Sequence, residues 1–152
     1  MANATDYLEQ RLLNFLFKNN VGGITSPGDS IYVGLATAAS APEAGTVTEV
    51  NSTTEDTNYE RKQVSASGWT VENFTRDPSG VNDTTAYRAK NANNIEFDAS
   101  SGTASFTVTH VFIADALTGG NILFVGALTN NKTIQQDDQF RINAGNLTIE
   151  LR

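Results

Sequence analysis

The chain has 152 residues and a mass of 16.3 kDa, the size of one ordinary domain, and it is long enough to bury most of what its unfolded form exposes. Lys and Arg number 10 against 17 Asp and Glu, giving a formal charge of -7, and the basic residues are scattered from Arg11 to Arg152, which argues against nucleic acid as a partner. The absence of cysteine excludes disulfides, Cys-based zinc sites and thiol nucleophiles, while a 39% hydrophobic and 18% charged composition, filled out with Asn, Thr, Ser and Ala, favours β-structure with polar loops over a helical bundle.

The first predicted element is a helix over 6–19. Leu8, Leu12, Phe15 and Leu16 form one stripe, Asp6 with Glu9 three residues later makes a capping box, and Lys18 followed by Gly22 and Gly23 marks the stop. Such a helix either lies over a sheet of its own chain or docks on a partner subunit through Leu8, Leu12 and Phe15. Glu9, Gln10, Arg11 and Asn14 interrupt its apolar run, so neither a signal peptide nor a membrane span is expected, and synthesis in a cytoplasm is. In "IYVGLAT", Ile31, Val33 and Leu35 alternate with Tyr32, Gly34 and Ala36, as in a strand with one face to the core. Residues 38–58 hold almost no large apolar side chain and are expected to form a long exposed loop, in which Glu43 and Glu49 are candidate partner contacts.

From Tyr59 onward the pattern is strands and turns. "YERKQVSA" and "WTVENF" flank Ser67 and Gly68, and residues 75–85, with Pro78, Gly80, Asn82 and Asp83, are expected to project as a tip. Tyr59 and Trp69 are either core aromatics or contacts to a partner. "ASFTVTHVFIADA" and "NILFVGALT" are the two strongest strands, joined by "LTGG", where Gly119 and Gly120 supply the positive φ that a hairpin connection demands. "NLTIELR" closes the chain with Leu147, Ile149 and Leu151 alternating against Thr148 and Glu150. The sequence has neither internal repeats nor heptads. Many short strands separated by turns predict a single mainly β domain over 1–152, an antiparallel β-sandwich or jelly roll with one short N-terminal helix.

Little in the sequence promises chemistry. His110, the one histidine, sits in an alternating strand where Phe106, Val108 and Phe112 are expected to share its face, and it reads as a structural or interface residue. No serine lies in a Gly-x-Ser-x-Gly elbow, no Gly-x-x-x-x-Gly-Lys loop occurs, and Asp137 with Asp138 lacks the spacing of a calcium loop. The carboxylates around Glu43, Glu49, Glu55, Asp56 and Glu60 have no fixed separation and read as a solvated acidic stretch. No catalytic residue, metal site or cofactor is expected.

The order of "DYLEQRLLNFLF", "IYVGLAT", "GTVTEV", "YERKQV", "NANNIEF", "VTHVFIADALTGGNILFVGALT" and "FRINAGNLTIEL" resembles a family of small bacteriophage virion proteins, some labelled tail fibre proteins and others similar to capsid cement or decoration proteins. The resemblance covers nearly the whole chain and is strongest from Asn91 to Leu151. It implies a non-enzymatic β-sandwich or jelly roll on the virion surface, made in the host bacterial cytoplasm. His110, Asp115, Gly119, Gly120 and Asn121 are then assigned to strand register and the hairpin turn. The leading expectation is a cement protein on the capsid exterior, bound to the major capsid protein and to itself as a dimer or trimer. The alternative is a tail or fibre adhesin or adaptor that binds a host surface receptor.

Overall fold

The computed structural model describes residues 2–8, 31–75, 85–102 and 104–150. Among them the regular structure is almost wholly β. The strands are β1 (Ala2–Ala4), β2 (Tyr32–Ala41), β3 (Thr46–Glu49), β4 (Lys62–Gln63), β5 (Trp69–Thr75), β6 (Thr85–Asn91), β7 (Ile95–Glu96), β8 (Phe106–Ala114), β9 (Ile122–Ile134), β10 (Arg141–Ile142) and β11 (Thr148–Glu150). Nine form one sheet in the order β3-β2-β8-β9-β1-β11-β6-β5, with β4 also on β2, and β7 and β10 form a small second sheet. All pairings are antiparallel except that of β1 with β11.

The centre of the large sheet is built from its most apolar segments. Val33, Leu35 and Val111 from β2 and β8 share a buried cluster with Ile95 of β7 and Ile142 of β10, so the small sheet lies across one face of the large one. The opposite face carries a second cluster of Ala36, Phe112, Ala114 and Val125. Burial on both faces accounts for the near-continuous apolar run Val111–Ala114, because neither parity of the strand meets water.

Three expectations change. Val108 and Val111, three residues apart, occupy the same cluster, whereas Phe112 belongs to the other. The register of β8 with β9 shifts between Val108 and His110, and such an irregularity reverses the alternation; Phe112 therefore does not share a face with Phe106 and Val108. Residues 38–58 are only in part a loop: β2 runs on to Ala41, a short turn follows, and β3 returns along it to Glu49, which leaves 50–58 as a run of turns. Small side chains suit this hairpin, since Ala39 and Val47 need only cover the second cluster. Finally, the N-terminus begins with a strand: backbone pairing places β1 between β9 and β11 before residues 6–8 turn helical. The remainder of the 6–19 helix, with Leu12 and Phe15, lies outside the described residues, as do residues 76–84 of the expected tip.

The two ends of the large sheet differ. The outer edge of β2 is met by the short strands β3 and β4, and the β2–β3 register shifts twice, between Ala36 and Ala38 and between Ala39 and Ala41. At the other end β5 pairs with β6 without interruption from Trp69↔Asn91 to Thr75↔Thr85, and no described strand pairs with its outer edge.

Candidate functional site

Several of the nominated residues meet around one that was not nominated. Arg61, 6% exposed, donates from Nε and Nη2 to the two carboxylate oxygens of Glu49, at 2.9 and 2.7 Å. Its Nη1 donates to the carbonyls of Ala116 and Gly119, at 2.7 and 2.8 Å. The guanidinium also lies 5.0 Å from the centroid of the Phe112 ring, an arrangement in which the cation faces the ring's electron density. Phe112 in turn covers Gly34, its cross-strand neighbour, where a Cβ would overlap the ring. Tyr59 completes the cluster: its hydroxyl donates to Glu49 at 2.8 Å and accepts the Leu35 amide at 2.9 Å.

The loop between β8 and β9 is closed from within as well. Asp115 accepts the backbone amide of Asn121 at 2.7 Å and its side-chain amide at 2.8 Å. Gly119 and Gly120 have φ of 63° and 70°, and a side chain at Gly120 would also strike Asp115. Arg61 therefore clasps this loop to β3, using a planar fork of donors that lysine lacks. Its hydrogen bond to Glu49 raises its pKa despite burial, while burial foremost, and then the Glu49 charge, pushes the Tyr59 phenol up. Both groups keep their ordinary charge across the neutral range.

His110 stands opposite Ala36 on β2 and Ala127 on β9. Its Nδ1 is 2.7 Å from the Thr109 hydroxyl, which lies 2.9 Å from the Thr37 carbonyl. A hydroxyl with one hydrogen, given to that carbonyl, leaves the ring Nδ1–H as donor. The acids nearest in sequence are engaged elsewhere, Asp98 with Lys62 at 2.8 Å and Asp115 with Asn121. Among the described residues no three His, Cys, Asp or Glu side chains converge in a way that could hold a metal ion. No described helix is long and apolar enough to cross a membrane.

The partner-contact candidates are dispersed. Glu43 is exposed in the β2–β3 turn, where its carbonyl accepts the Asp6 amide at 2.8 Å, and Leu8 is partly buried nearby in sequence. Trp69 and Tyr59 pack against the main cluster, Tyr59 stacked on Phe97 with centroids 6.1 Å apart. A cleft of about 820 Å³ runs beside the far half of β9, lined among others by Asn130, Lys132, Gln139, Phe140 and Arg141, and none of the nominated residues reaches it. The large apolar side chains that are exposed among the described residues are Val71, Tyr87 and Leu117. On the other face of the β5–β6 hairpin Glu72 pairs with Arg88 and Lys90, and these hydrogen bonds, Lys90 first, hold its carboxyl below the usual range.

Sequence reasoning passed over Arg61 because a lone arginine in a polar segment looks like any solvated charge. The available signal was Gly34, placed where the strand needs a side chain unless an aromatic from a neighbour covers the gap.

The described residues thus form a mainly β fold in which Arg61 and Asp115 hold the β8–β9 loop. The model of the podophage GP4 fiber I protein gp80 family matches residues 3–150, and the chain belongs to that family. It is a phage virion structural protein. No curated protein matches the chain.

Proposed function

We propose that the protein is a non-enzymatic component of the phage tail-fibre apparatus, acting as a short adaptor or tip. The observation that carries this reading is the match to a fibre protein family across residues 3–150. The lack of repeats and heptads separates it from a shaft, which needs periodic sequence to build length. The loop held by Arg61 supports a mechanical part, because two charge-assisted hydrogen bonds to its carbonyls, with two more anchoring Arg61 on Glu49, fix a surface loop without presenting a reactive group.

The same compact, repeat-free chain also favours a second placement, as a cement protein on the capsid exterior that binds the major capsid protein. Electron microscopy of virions labelled with an antibody to this chain separates the two. Label on the tail is expected; label spread over the capsid faces, together with saturable co-sedimentation with empty capsids, overturns the fibre reading in favour of cement.

A further inference from the structure

We infer that β5 is the seam of a two-fold dimer, pairing antiparallel with β5 of a second copy so that Val71 lies opposite Val71 of that copy. Natural sheets defend their edges with short strands, bulges, prolines or lysines, since an open edge offers unpaired backbone donors and acceptors to any other strand. The β2 edge is defended in this way, by short partners and two register shifts. β5 is not. It is seven residues long, "WTVENFT", without proline or lysine, and its register with β6 is unbroken. Its single charge, Glu72, is already engaged by Arg88 and Lys90 on the neighbouring strand.

The edge also carries apolar surface that nothing described covers. Val71 is 69% exposed and Tyr87 68%, and both project from one face of the hairpin, because Val71 pairs with Ala89 and Tyr87 with Asn73. Charge selects the register and the occupant. Pairing centred on Glu72 would set two carboxylates opposite each other, which is unfavourable across strands. Centring on Val71 instead sets Thr70 opposite Glu72 of the copy and Trp69 opposite Asn73, and joins both Val71 and both Tyr87 side chains into one apolar row. A segment that matches itself in this way suits an identical chain related by a two-fold axis, the commonest closed symmetry. The inference does not depend on where in the virion the protein sits.

The chain has no cysteine, so single cysteines report the seam without background. Paired backbones bring opposed Cα atoms within disulfide range. Purified full-length Val71→Cys is expected to form a covalent dimer under mild oxidation, while Glu72→Cys at the same concentration, facing Thr70 of the copy, does not. The unmodified chain is expected to sediment as a dimer, and Val71→Lys as a 16.3 kDa monomer with an unchanged far-ultraviolet circular dichroism spectrum. A monomer at every concentration, a Val71→Lys dimer, or crosslinking of Glu72→Cys in place of Val71→Cys each overturns the inference. So does a free chain that stays monomeric and gains protection at β5 only in the virion, which assigns the edge to another protein.

Discussion

The two ends of the large sheet solve the same problem with different means. At the β2 end, β3 and β4 are short, the register breaks twice, and Arg61 ties β3 to the β8–β9 loop through side-chain hydrogen bonds. At the β5 end the ladder is regular, the ion pairs stay within the hairpin, and Val71 and Tyr87 face outward. One end is finished inside the chain. The other has the geometry of a strand that continues. The comparison teaches that irregular backbone needs side-chain ties to hold it, while regular backbone holds itself and leaves its surface open for contact.

The largest expected effect comes from removing the tie. Arg61→Ala leaves two carbonyls without their donor and Glu49 with only the Tyr59 hydroxyl, and urea denaturation should register a loss of about 3 kcal/mol, the low end for breaking a buried pair because Glu49 keeps that bond and some access to water. A loss below about 1 kcal/mol would mean that strand pairing alone finishes this edge. Gly34→Ala comes next. Its Cβ overlaps the Phe112 ring, so overpacking should cost about 2 kcal/mol, and adding Phe112→Leu should recover part of that loss; simple additivity of the two in thermal unfolding would separate Gly34 from Phe112.

At the open end the effects on the fold are smaller. Val71→Lys should leave the chemical stability of the isolated subunit within about 0.5 kcal/mol, as for an ordinary surface change. A larger loss would place Val71 in a core and erase the contrast between the two edges. The smallest effect is expected at Glu72. Its folded-state pKa is depressed, so its contribution is present above the ordinary carboxylate range and fades as pH falls through the folded value. Stability of Glu72→Gln should therefore trail the unmodified chain at neutral pH and low salt and converge with it in acid or at high salt; a gap that widens in acid would reverse the assignment.

How much was legible follows from how each element is encoded. The strands 31–37, 105–114 and 122–129 were readable because β-branched and aromatic residues cluster there, and the mainly β class followed from them. The hairpin that β2 and β3 make within 38–49 was missed because Ala, Thr and Ser line it, and small side chains leave no apolar alternation to detect. β1 was missed because its placement comes from backbone pairing with β9 and β11, which any sequence could supply. In the candidate site, Glu49 and Tyr59 were picked out singly as contacts, whereas their meeting at Arg61 requires the segment after β3 to fold back on that strand and the β8–β9 loop, far along the chain, to reach the same guanidinium.

The sequence by itself determined the fold class, the absence of disulfides and the strongest strands, because composition and local periodicity act within a few residues of chain. Only the tertiary structure decided which face Phe112 takes, since a register shift near His110 reverses the alternation that a regular strand would keep. Only it turned Arg61 from a surface charge into the clasp of a loop, because burial and four hydrogen-bond partners exist only once β3 and the β8–β9 connection have been brought together.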